Sequence, residues 1–114
     1  MRWLAASIVL LNFINSAFAE TVEVKYHGLV NIGNFDCNTI TRSSFIRRVC
    51  YNNQHSYMII SLDYTYYHYC SVDPTTVRNF LNAESMGRYY NANIRSQGSR
   101  RGPFDCRDHP VPKL

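Results

Sequence analysis

The stretch that decides the fold is Thr65-Tyr66-Tyr67-His68-Tyr69-Cys70. Three of the chain's nine tyrosines sit in it, and a cysteine closes it. Side chains alternate across a strand, so Tyr67 and Tyr69 take one face and Tyr66, His68 and Cys70 the other. Such a run builds either an aromatic strand in a small core or a stacking surface for a ligand. Tyrosine alternation is ordinary in short sheets. On the residues alone both readings stand: the rings pack under a helix, or they face a ligand.

Working outward, residues 57–62 (Tyr-Met-Ile-Ile-Ser-Leu) are apolar and partly β-branched and read as a central strand. Asp63-Tyr64 is the expected hairpin tip. A two-residue turn favours Asn-Gly or Asp-Gly, and tyrosine in the glycine position argues for a longer loop. Residues 44–51 form a further strand. Phe45, Arg47, Val49 and Tyr51 are expected on one face, with Ile46, Arg48 and Cys50 on the other. Asn52-Asn53-Gln54 is turn chemistry. Downstream, Asp73 reads as an N-cap and Pro74 as the first helical residue, with Val77, Phe80 and Leu81 at helical spacing. Ser85-Met86-Gly87 is expected to break that helix, and residues 89–94 to form a second one. The order implies an α+β fold: a small antiparallel three-stranded meander packed by one or two short helices and stapled by disulfides.

The ends of the chain carry different signals. Residues 1–19 read as a secretory signal peptide, with Arg2, an apolar run and Ala17-Phe18-Ala19 before Glu20. Export to the periplasm or beyond the cell is therefore expected, with no transmembrane segment after cleavage. Residues 20–40 read as an N-terminal extension, 41–95 as the folded domain, and 96–114 as a tail rich in Pro, Gly and Arg. In residues 21–29 Val22, Val24 and Tyr26 alternate with polar residues, as in a short edge strand or an extended tail. Without Arg2 the chain keeps 11 of its 12 basic residues against 8 acidic ones. That is too mild a charge to identify a nucleic-acid binder. Ten of the basic residues are Arg, which suits carboxylate and phosphate partners.

Four cysteines in a short exported chain imply two disulfides. No C-x-x-C occurs among Cys37, Cys50, Cys70 and Cys106, so neither a thioredoxin-type nor a zinc-knuckle site is indicated. Three pairings exist. The expected one nests Cys50–Cys70, both in the sheet, inside Cys37–Cys106, each in a Phe-Asp-Cys triplet.

Several segments together resemble the KTSC domain. They are Ser43-Ser44-Phe45-Ile46, Val49-Cys50-Tyr51, Tyr67-His68-Tyr69, and the run from Ser85-Met86-Gly87-Arg88 through Tyr89-Tyr90-Asn91-Ala92-Asn93-Ile94. That family is named for the C-terminal domain of some lysyl-tRNA synthetases and also occurs as small stand-alone proteins. Its Y-x-Y mark matches Tyr67 and Tyr69. The resemblance implies a domain of uncharacterised role, with RNA binding suggested by the attachment to synthetases, and it brings no catalytic residues. Cys50 and Cys70 stand where the family commonly has a small and an aromatic residue, as in a version adapted to an oxidising compartment.

Chemistry-bearing residues allow four readings. Tyr67 and Tyr69 with Arg88, Asn91 and Arg95 can form a binding site, aromatics stacking bases or sugars and Arg engaging anions. The partner class is then an anionic ligand, a nucleic acid or an acidic envelope surface. His27, His55, His68 and His109 can instead supply a general acid–base pair, as in a small secreted nuclease-like hydrolase. A metal site at Asp105, Asp108 and His109 reads more simply as a charged tail around a disulfide. Arg95, Arg100, Arg101 and Arg107 can dock an anionic surface or remain solvated. The expectation is a non-catalytic binding module without metal or cofactor.

Overall fold

The computed structural model describes residues 20–114, and the expected signal peptide lies outside the described residues. Six strands and two helices follow in order: β1 (Thr21–Val24), β2 (Gly28–Asn31), β3 (Asp36–Thr39), β4 (Ile46–Asn52), β5 (Tyr57–Leu62), β6 (Thr65–Tyr69), α1 (Pro74–Asn82) and α2 (Met86–Asn93). The expected α+β class holds, and β4, β5 and β6 form the expected antiparallel meander. The sheet, however, has six strands in the order β2-β1-β6-β5-β4-β3 and is mixed, because β1 runs parallel to β6 through Val24 and Tyr66. Residues 20–40, expected as an extension, supply three of those strands. The run 21–29 is not one strand. Tyr26 (φ 66) and Gly28 (φ 122) turn the chain back, so that Val24 faces Gly28 across a hairpin.

The hairpin tip Asp63-Tyr64 is a true two-residue turn, since Leu62 pairs directly with Thr65. Both turn residues take positive φ, 47 and 71. Tyrosine there costs on the order of 1–2 kcal/mol. Neighbours hold it: Arg47 lies 5.1 Å over the Tyr64 ring, and Asp63 N donates to Phe45 O at 2.8 Å. Arg47 reaches that position because β4 carries a bulge. Ile46 pairs with Leu62 but Arg48 with Ser61, leaving Arg47 as the extra residue. The bulge also corrects the face assignment. Ile46 joins Val49 and Tyr51 in the core under the helices, and not Cys50.

Asp73 caps α1 as expected, accepting from Thr76 N, with Pro74 at its start. Ser85 does not break the chain; it caps α2, its Oγ accepting from Arg88 N. The break is Ala83-Glu84. Gly87 sits inside α2, where a Cβ would come 2.8 Å from Phe45 Cε1 at the edge of that ring. The two helices cover one sheet face, where Ile46, Val49, Met58 and Ile60 meet Phe80, Met86 and Ile94. The other face buries Val22, Val24, Val30 and Ile32 with Cys50, Tyr57, Ile59 and Cys70, and the tail adds Val111. In a flat sheet β1 and β4 would stand about 14 Å apart, three strand spacings. Yet Glu20, beside β1, pairs with Arg48 of β4 at 2.5 and 2.9 Å. The two long side chains bridge that gap.

The disulfides are Cys37–Cys50 and Cys70–Cys106. This overturns the expected nesting. Cys37 and Cys50 are register partners on adjacent strands, 4.0 Å apart at Cα. Cys50 and Cys70 lie on opposite sides of β5, with Ile59 between. Two strand spacings are about 10 Å, beyond the roughly 7 Å a disulfide can span. Among the described residues no helix is long and apolar enough to cross a membrane.

Candidate functional site

A cavity of about 1050 Å³ opens beside β6, between the start of the β1–β2 turn, the C-terminal end of α2 and the tail. Tyr67, Tyr69, Asn91 and Arg95, four of the five binding residues expected from sequence, line it. Arg88 does not. It lies one turn up α2 on the same side as Asn91 and Arg95, exposed and outside the cleft.

The four residues play different parts. Tyr69 is 8% exposed, and its hydroxyl meets the Tyr90 hydroxyl at 2.7 Å. The rings cross edge to face at 6.1 Å. Burial lowers the acidity of both phenols relative to free tyrosine, so both stay protonated. Tyr69 is thus the cleft's apolar floor. Tyr67 is half-buried at the rim, with Lys25 Nζ 6.0 Å from its ring centroid. Arg95, at the end of α2, donates to Asn91 Oδ1 at 3.3 Å. The alternation of the tyrosine strand thus resolves as core for Tyr69 and rim for Tyr67.

The electrostatics come from Arg95 together with Lys25 and the tail residues Asp105 and Arg107. Arg107 grips Asp105 through Nε and Nη2 at 2.9 and 2.7 Å, and Ser96 Oγ donates to the same carboxylate at 2.7 Å. The Arg107 guanidinium holds the Asp105 carboxyl far below the usual range. That pair is neutral as a unit. Lys25 and Arg95 also line the cleft, and among the described residues neither has a carboxylate partner. Only Asp63 opposes them there as a free acid. The cleft is therefore mildly positive above an apolar floor that includes Phe45, Leu62 and Val111.

The histidines distribute unequally. His55 lies in the β4–β5 turn, and His109 Nε2 meets Pro103 O at 2.8 Å. His27 and His68, however, come together, with ring centroids 4.7 Å apart. His68 Nδ1 lies 2.7 Å from the hydroxyl of Tyr57, which is 1% exposed. Burial keeps that phenol protonated, and the direction of the bond follows the His68 tautomer. Burial and then the His27 ring lower the His68 basicity. The two rings nevertheless serve different cavities: His68 lines the cleft, and His27 a second cavity of about 430 Å³ with His55. Asp105, Asp108 and His109 are each engaged elsewhere, by Arg107, Arg101 and Pro103. No three His, Cys, Asp or Glu among the described residues converge as metal ligands would.

Lys25 and Ser96 carried no local site signal, and Asp105 and Arg107 were expected only as tail charges, because these residues reach the cleft through a β1–β6 pairing and a tail tethered at Cys106. The placement of Asp105 and Arg107 on either side of a cysteine was the one available hint that the tail is ordered.

A search of the curated proteins finds no match. The crystal structure of a KTSC domain protein from Yersinia pestis is similar in fold, with a TM-score of 0.51 and 23% identity over 55% of this chain and 89% of that one. Residues 42–97, which carry β4 to β6 and both helices, match the KTSC domain. Residues 42–97 of the chain are thus a KTSC domain.

Proposed function

We propose that the protein is a non-catalytic binding module of an oxidising compartment, periplasmic or extracellular, that takes an anionic ligand in the cleft beside β6. The observation that carries this reading is the pair Lys25 and Arg95, cations without carboxylate partners, beside the Tyr67 ring over an apolar floor. A pocket of this size, apolar with a few convergent polar groups, is the usual form of a ligand site. Two disulfides support export, since such bonds persist where the medium is oxidising.

The competing reading is a nuclease-like hydrolase, favoured by the closeness of His27 and His68. A general acid and base must both reach the substrate. His68 Nδ1 is engaged by Tyr57, and His27 opens on the other cavity. Only one histidine then addresses the cleft, which supports binding over cleavage.

The test is a titration of the oxidised protein with inorganic phosphate and with a short RNA oligonucleotide, followed by amide NMR shifts. Tyr67→Ala and Arg95→Gln should weaken binding with folding intact, and added salt should weaken it further. Arg88→Gln, outside the cleft, should leave it unchanged. Binding indifferent to Tyr67 and Arg95, or RNA cleavage lost in His68→Ala, would remove the reading.

A further inference from the structure

β6 presents one residue of unpaired backbone to the cleft. Leu62 and Thr65 close a two-residue turn, so the hydrogen-bonded partners of β5 along β6 are Thr65, Tyr67 and Tyr69. The N–H and C=O groups of Tyr66, His68 and Cys70 point away from β5. Tyr66 O accepts from Lys25 N at 2.9 Å, and Cys70 N donates to Phe104 O at 2.8 Å. Between them β1 has already turned away at Tyr26, and the tail has not yet arrived. Among the described residues the His68 main chain has no backbone partner on that edge. Tyr67, His68 and Tyr69 all line the cleft. Side chains that alternate between faces do so together only where the cavity meets the strand edge.

That edge narrows the ligand chemistry. A phosphodiester accepts hydrogen bonds only, and it would meet the His68 carbonyl with repulsion. A ligand that satisfies both groups needs an acceptor and a donor at strand spacing, as a peptide main chain has. We propose that the cleft takes an extended peptide ending in a free carboxylate. Its last residues pair with the His68 main chain as a short added strand, and its carboxylate meets Lys25 and Arg95. An apolar terminal side chain fits the floor of Phe45, Leu62, Tyr69 and Val111. Strand addition and carboxylate capture are both established modes of peptide recognition. The proposal rests on the binding reading above and names the ligand class for the same site.

The experiment titrates the oxidised protein with four probes: acetyl-Ala-Ala-Leu as the free acid, the same peptide as its C-terminal amide, inorganic phosphate, and the short RNA oligonucleotide. The free acid should shift the His68 amide signal and bind at least about tenfold more tightly than the amide, the size expected for a lost charge-assisted hydrogen bond. Lys25→Gln and Arg95→Gln, both at exposed positions, should each weaken the acid more than the amide, narrowing the gap between them. Equal affinity for acid and amide, or shifts confined to other regions, would overturn the peptide assignment. Phosphate or RNA perturbing the cleft while neither peptide does would overturn it too, with anion binding still standing. Silence from all four probes would remove both.

Discussion

Gly102 holds the tail against the end of α2. A Cβ there would lie 2.5 Å from Ile94 O and 2.8 Å from Arg95 O, main-chain atoms that cannot swing aside. Its N–H donates to Ser96 Oγ at 2.9 Å, and the same hydroxyl donates to Asp105. Gly102→Ala should therefore cost about 1–3 kcal/mol, the usual range for overpacking, and lower the denaturant midpoint. Gly87→Ala makes the control. Its Cβ meets only the edge of the Phe45 ring, which can shift, and alanine gains about 1 kcal/mol of helix propensity. Near-neutral behaviour is expected there. A midpoint for Gly102→Ala equal to wild type would mean the tail does not press on α2. The sequence offered Gly102 only as part of a Gly- and Pro-containing tail, because close backbone approach leaves no local pattern.

At the scale of elements, local chemistry was readable and partnership was not. The meander and the Asp73-Pro74 start follow from alternation and capping, which a chain segment carries within itself. β3 has no apolar alternation, and it is a strand because Cys37 is bonded to Cys50 across the register. The bulge at Arg47 flipped Ile46 to the other face, and one inserted residue is invisible to a period-two reading. The cleft was half legible. Tyr67, Tyr69, Asn91 and Arg95 lie in segments carrying the family's motifs, whereas Lys25 and Arg107 arrive by long-range pairing. The two disulfides consequently have separable roles. Cys37–Cys50 closes a loop of 13 residues and ties an edge strand, whereas Cys70–Cys106 closes 36 and fixes a wall of the cleft. Chain entropy gives about 3 and about 4 kcal/mol respectively. Both Cys→Ala pairs should lower the melting temperature. Only Cys70→Ala with Cys106→Ala should also speed hydrogen exchange in residues 96–111 and abolish cleft binding. Equal effects of the two pairs on that exchange would refute the division.

For the molecule as a whole, His68 stands where its parts meet. It sits in β6, its ring touches His27 of the β1–β2 turn, the Tyr57 hydroxyl of β5 is hydrogen-bonded to it, and Asp105 of the tail lies near. Burial and the His27 ring lower its basicity, and the Asp105 charge opposes them only in part. The folded protein thus binds this proton less readily than the unfolded chain. Stability then rises with pH wherever the unfolded state holds the extra proton. The contribution is fully present above the ordinary histidine value of about 6.5 and declines as pH falls below it. It levels off once the folded state also binds the proton. Protonation would place a half-buried cation against His27, loosening the hairpin, the sheet and the tail together. The denaturant midpoint of the oxidised protein should fall between pH 7.5 and pH 5. His68→Gln keeps a side-chain acceptor and removes the titration, so its midpoint should vary less over the same range. Parallel pH profiles for the two proteins would assign the acid sensitivity to other groups and remove His68 from this role.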